Sequence, residues 1–182
     1  MRLLCTVTLL AFFLGACSLD YRPAQLEDDR AETVPETVLI EAQLVIVRSE
    51  ARRFRVSAQR VEHFPEQQQQ VFSRFAFEEI DRNGAVLSSG SAESAIYFTD
   101  SDDIEMSGNI TFYSYQHQAG IHADWLRWND EQRRLAGSPD GLVRVERDGG
   151  STISGVGFAA DMRSSTVEFA EQVSGTLVTD EN

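Results

Sequence analysis

The chain has 182 residues, 42% of them hydrophobic and 25% charged, with 29 acidic against 16 basic side chains and a formal net charge of −13. That length suits a single domain with a sizeable core and requires no second one. The acidic balance argues against nucleic acid and anionic membrane surfaces as partners.

In chain order, the first informative segment is Leu3 to Phe13, an apolar run after the single positive Arg2, interrupted only by Thr6 and Thr8. It reads as the core of a signal peptide and is too short to span a bilayer, which takes roughly 20 apolar residues. It ends in Leu14-Gly15-Ala16-Cys17, which is similar to the lipobox of bacterial lipoproteins. That similarity implies cleavage before Cys17 and a multi-chain lipid anchor on this cysteine, which holds far better than one acyl group. Removing residues 1–16 leaves 166 residues at a formal charge of −14, because Arg2 is lost. Cys5 leaves with the signal and Cys17 is consumed by lipid, so no thiol remains for a disulfide, a cysteine metal site or a nucleophile. All 16 basic residues are arginine, whose planar fork can pair with phosphate or carboxylate in a way a lysine cannot.

Ser18 to Glu36 is polar and acidic, with Pro23, Pro35 and the cluster Glu27-Asp28-Asp29, and is expected to be a flexible tether, leaving residues 37–182 as the domain. The domain then shows alternating segments: Phe54 to Val61, Val71 to Ile80, Ala92 to Phe98, Ile104 to Tyr115, Ile121 to Trp128, Leu142 to Arg147, Ser151 to Phe158 and Thr166 to Val178. Turn signals separate them, among them Asp81-Arg82-Asn83-Gly84, Asp100-Ser101-Asp102-Asp103, Gln116 to Gly120, Gly137 to Gly141 and Asp148-Gly149-Gly150. In Ile104 to Phe112, a period of two puts Ile104, Met106, Ile110 and Phe112 on one face and Glu105, Ser107, Asn109 and Thr111 on the other. The class is all-β and antiparallel, and strands with one apolar face must close over it as a sandwich, roll or barrel. The only helical cue is a short turn at Asn129 to Arg134, and Gln67 to Gln70 reads as a solvated loop.

Four segments in order, Gly90-Ser91-Ala92-Glu93-Ser94-Ala95, Ile104 to Ile110, Ile121 to Trp128, and Ile153-Ser154-Gly155-Val156-Gly157-Phe158-Ala159-Ala160-Asp161, give the chain a grammar that resembles the LptC/OstA-like family of periplasmic lipopolysaccharide-export proteins. The likeness runs from about Phe54 to Gly175. It implies a twisted, partly open β-jellyroll whose apolar interior shields the acyl chains of lipopolysaccharide or a related glycolipid, with no bond made or broken and no cofactor. It also implies partners: the permease subunits of an inner-membrane ABC transporter, which supplies the lipid, and a periplasmic OstA-like protein, which receives it by β-strand augmentation. Family members generally carry an N-terminal transmembrane helix, in whose place the lipobox likeness implies a lipidated cysteine and a tether. The family role favours an inner-membrane anchor for a periplasmic domain, whereas Ser18, in place of the retaining Asp of enteric lipoproteins, leaves the outer membrane open. A competing reading is a non-enzymatic structural lipoprotein adaptor of the outer membrane that pairs strand edges without holding lipid.

On the resemblance, the lipid-groove candidates are Ile104, Met106, Ile110, Phe112, Val143, Val145, Gly155, Gly157, Phe158 and Phe169, with Val173 a further inward residue; Cys17 is the lipid-attachment site. An apolar strand face is more commonly plain core, which each apolar position would also suit, and Gly155 and Gly157 would also serve a bulge or bend. Met106 suits an irregular lining because its thioether adapts to shape. His63, His117 and His122 lack metal-ligand spacing, so no metal site is expected. Glu78-Glu79 and Asp102-Asp103 are not catalytic pairs, since neighbours in a strand point to opposite faces and turn acids are solvated. No Gly-x-Ser-x-Gly element occurs. Trp125 and Trp128 are expected to pack or sit at a rim, where an indole needs one acceptor.

Overall fold

The computed structural model describes residues 34–48 and 52–179. The expected signal peptide, Cys17 and the tether up to residue 33 lie outside the described residues. Those described form twelve strands, all paired antiparallel: β1 (Thr37–Arg48), β2 (Arg52–Phe64), β3 (Gln69–Ile80), β4 (Val86–Phe98), β5 (Ile104–Ser114), β6 (Ala119–Asn129), β7 (Arg134–Gly137), β8 (Leu142–Arg147), β9 (Thr152–Val156), β10 (Ala159–Asp161), β11 (Thr166–Glu168) and β12 (Glu171–Thr176). Strands β1 to β6 pair in sequence order. After β6 the sheet divides, one branch running β6-β7-β10-β11 and the other β6-β8-β9-β12.

The division follows from a crease that crosses every strand. Between β1 and β2 the pairing stops between Ile40–Arg60 and Ala42–Ala58; between β3 and β4 it stops between Ser73–Ser94 and Phe75–Ala92; between β5 and β6 it shifts by one residue between Ser107–Trp125 and Ile110–Ala123. These interruptions fall in one line, which meets Glu41, Arg74 and Gly108-Asn109, all at positive φ. Left-handed residues and bulges bend a strand and take its side chains out of alternation. The burial pattern records this: inward residues step by three at the crease, Ala58 to Val61, Phe72 to Phe75, Ala92 to Ala95 and Ala123 to Leu126. The later strands cross the same line at Ser138–Gly141, between β7 and β8, at Gly157-Phe158 and at Phe169-Ala170. Each pair therefore amounts to one long strand broken at the bend, which is why Ser151 to Phe158 and Thr166 to Val178 are not the single strands their patterning suggested.

The bent sheet makes two layers facing each other across the crease. The lower layer holds β8, β9 and β12, the upper layer β7, β10 and β11, and β1 to β6 contribute a half to each. Phe72 and Phe75, on either side of the bend, meet edge-on at 5.5 Å between ring centres. A Cβ on Gly137 of the upper layer would lie 2.9 Å from Val143 of the lower. The layers converge at the crease, and there the inward positions are mostly alanine: Ala42, Ala58, Ala92 and Ala123, all buried. Larger side chains fill the wider space on both sides, Val61, Phe72 and Leu126 above and Val56, Ile121 and Val143 below. Burying each contributes roughly 1.5–3 kcal/mol. Two clusters result, one around Leu126, Val143 and Phe158 and the other around Val56, Phe72 and Ala95, and Met106 packs against both.

Two further differences from the sequence reading stand out. The sheet begins a strand earlier than Phe54, at β1, whose runs Val38-Leu39-Ile40 and Leu44-Val45-Ile46-Val47 are apolar on both faces and so show no alternation. Asn129 to Arg134 closes a hairpin, with the Arg133 N–H donating to the Asp130 carbonyl at 3.3 Å, and not a helical turn.

Candidate lipid groove and strand edges

The sequence-derived groove residues all lie on or beside the inner face, but at different depths. Ile110, Val143 and Phe158 are buried to 2% exposure or less, so they are interior core. Ile104, Met106, Phe112, Val145 and Phe169 are half-buried, and they line the space as it widens away from the crease. Gly155 is buried because the Phe169 ring lies over it, and a Cβ there would sit 2.7 Å from that ring. Gly157, at φ +67°, turns the chain at the crease against Ala170. The two glycines thus admit the Phe158–Phe169 pair, 5.5 Å apart, between the layers at the C-terminal end.

Toward the hairpins the inner face becomes polar. At the upper opening stand His63, Gln70, Tyr97 and Trp128, where the Tyr97 hydroxyl donates to Asp102 and the Trp128 indole donates to Asp130 at 3.1 Å. His63 Nδ1 is buried without a hydrogen-bond partner among the described residues. At the lower opening Ser88 donates to Glu79 at 2.9 Å, whereas the neighbouring Glu78 faces outward to Arg55 at 3.3 Å. Among the described residues no group of three or more His, Cys, Asp or Glu could hold a metal.

Both ends of the sheet are unpaired among the described residues. At one end β1 exposes Val38 and Ile40, and then Val45 and Val47, on its outer face, with Ile40 at 60% and Val45 at 67% exposure. Natural proteins blunt long apolar edges with charge, proline or a cover. Leu44 to Val47 carries no charge or proline, and no described residue covers it. At the other end β11 is only three residues long and β12 is exposed throughout. Beside β12 an open apolar corner is lined by Val145, Ile153, Val173 and Leu177, with Arg147 at its rim.

A sequence model of the lipopolysaccharide-assembly, LptC-related family matches residues 3–178. The chain belongs to the LptC-related family. Among solved structures, this LptC-related chain is similar to LptH of Pseudomonas aeruginosa, described as the LptA-homologous periplasmic component of the lipopolysaccharide transport device. The TM-score is 0.54 at 12% identity, over 69% of this chain and 95% of that one. At that identity the likeness shows the shared fold, the partly open antiparallel jellyroll. No curated protein matches the chain.

Sequence reasoning missed three features. One is the apolar edge β1, signalled by its doubled aliphatic runs. Another is the crease, signalled by the steps of three in Val56-x-Ala58-x-x-Val61 and Ile121-x-Ala123-x-x-Leu126-x-Trp128. The third is Asp103, which is 4% exposed. Its carboxylate accepts from Arg127 at 3.2 Å, from Asn129 at 3.2 Å and from the Asp130 amide at 3.0 Å, locking the β4–β5 turn onto the end of β6.

Proposed function

We propose that this protein is a lipopolysaccharide-binding and transfer component of an envelope-spanning export bridge. It receives lipid from the permease subunits of an inner-membrane ABC transporter and passes it to a periplasmic OstA-like protein. The observation that carries this reading is one bent sheet whose inner face is apolar around the crease from β1 to β12 and whose two terminal edges are both unpaired among the described residues. A strand added at β1 prolongs both layers, and one added at β12 prolongs the lower layer, and with them the shielded path. Each acyl methylene kept from water is worth roughly 0.8 kcal/mol, so several chains of one lipid need shelter along the whole route. The half-buried residues Ile104, Met106, Phe112, Val145 and Phe169 are the proposed acyl contacts, with Ile110, Val143 and Phe158 beneath them as the floor and Gly155 and Gly157 shaping its C-terminal end. Lipidated Cys17 and the tether that follows would hold residues 37–182 in the periplasm beside a membrane, the inner one if the transporter is the donor. The reading involves no bond making or breaking.

The test is a photo-crosslinking amino acid at Phe112 in living cells, followed by blotting for lipopolysaccharide. An adduct that depends on cellular ATP is the expected result. Crosslinks to protein alone would overturn the reading in favour of a structural adaptor whose interior is only a core.

A further inference from the structure

The hairpins at the two openings of the groove differ in charge. Around the upper opening the β2–β3 turn carries Glu66, the β4–β5 turn Asp100 and Asp102, and the β6–β7 turn Asp130 and Glu131. Most arginines there are engaged: Arg127 pairs with Asp103 at 3.2 Å, Arg133 lies against Asp130 at 3.5 Å and over the Trp128 ring at 4.7 Å, and Arg163 donates to the Glu131 carbonyl, whereas Arg134 is exposed.

Around the lower opening every hairpin brings a cationic or titratable group. Arg53 stands at the start of β2, the β3–β4 turn carries Arg82, the β5–β6 turn His117, and β8 ends in Arg147. Arg53, Arg82 and Arg147 are exposed, and none makes an ion pair among the described residues. Three acids also stand on this side, each accepting hydrogen bonds from its neighbours, Glu79 from the Ser88 hydroxyl among them. Asp81 accepts from the amides of Asn83 and Ala85, each at 2.8 Å, and Asp148 accepts from the Tyr113 hydroxyl at 2.7 Å. Hairpins on one side recur every second strand, about 10 Å apart, so the cationic groups span about 30 Å along the groove. The net charge of −13 hides this division.

We infer that the lower lip is a rail for the anionic head group: its arginines face the phosphates of the glycolipid whose acyl chains lie between the layers, while the acidic upper lip turns the head away. The inference rests on the lipid-carrying reading above and adds an orientation to it. Guanidinium is the suitable partner because its planar fork matches a phosphate and stays charged at every physiological pH. Exposed contacts of this kind are individually weak, which suits a head group that must move from one arginine to the next.

The test uses the full chain in detergent and measures binding of bisphosphorylated lipid A and of the same lipid A with its phosphates removed. In the triple variant Arg53→Gln, Arg82→Gln, Arg147→Gln, binding of phosphorylated lipid A is expected to weaken about tenfold or more, while the dephosphorylated form binds as before. The unaltered chain should lose its preference for the phosphorylated form as salt rises from about 0.05 to about 0.5 M, because exposed pairs are screened. If the triple variant holds phosphorylated lipid A as tightly as the unaltered chain, the rail is wrong and the lipid-carrying reading survives. If the unaltered chain binds neither form, both fall.

Discussion

The crease makes a quantitative prediction at Gly108. This residue sits in the β5 bulge at φ +78°, and a Cβ there would lie 2.5 Å from Glu93 Oε2 and 2.8 Å from Glu93 Cβ. Gly108→Ala therefore meets two costs. The left-handed backbone disfavours any L side chain by about 1–2 kcal/mol. Displacing Glu93, whose Cβ cannot swing aside, also disturbs its hydrogen bond from Asn109, worth about 1 kcal/mol. The sum is about 2–3 kcal/mol. With a urea dependence of about 2 kcal/mol per molar, the unfolding midpoint should fall by about 1–1.5 M. Two other glycines separate the terms. Gly84, at φ +87°, has no atom within 4 Å of the position its Cβ would take, so Gly84→Ala carries the backbone cost alone and should lower the midpoint by about 0.5–1 M. Gly149 has equally open surroundings and no left-handed φ, so Gly149→Ala should leave the midpoint unchanged or raise it slightly by restricting the unfolded chain. Equal midpoints for Gly108→Ala and Gly84→Ala would refute the crowding at the crease, and a Gly108→Ala midpoint at the level of the unaltered protein would refute the bulge itself.

Three other predictions follow from particular side chains. Asp103→Ala strips three donors of their shared buried acceptor and should cost about 2–4 kcal/mol by urea unfolding, with Asp103→Asn intermediate. The carboxyl of Asp81 is held below the usual range first by the amide of Ala85, and that of Asp161 by the amides of Ser164 and Arg163. A depressed carboxylate adds stability that is present above its unfolded value, about 3.9, and is lost as pH falls through the folded value. The double variant Asp81→Asn, Asp161→Asn should therefore lose less stability than the unaltered chain when unfolding is compared between pH 5 and pH 2, and an identical loss would count against these turns. Val173→Pro falls at the irregularity between Glu171 and Ser174, where a proline is best tolerated in a strand. It should leave the melting temperature within a few degrees and abolish co-purification with an OstA-like partner. Undiminished co-purification would exclude docking at β12.

The antiparallel all-β class and most strands were legible in the residues alone, because alternation and turn chemistry are local. Leu142 to Arg147 was legible to the residue, and Ile104, Met106, Ile110 and Phe112 do share the inward face. That face survived in β5 for a reason invisible in sequence: the extra residue of the Gly108-Asn109 bulge offsets the change of phase that the crease imposes on its neighbours. The Glu78-Glu79 pair splits between outside and inside as strand geometry requires. Which apolar residues are floor and which are wall emerges in the folded sheet, since burial at Ile110 and half-burial at Phe112, two residues on, depend on distance from a crease assembled from many strands. The folded sheet alone placed Glu66, Asp100 and Asp130 around one opening and Arg53, Arg82 and Arg147 around the other. Charges scattered along a chain gain a common side only when successive hairpins alternate between the two lips of a bent sheet.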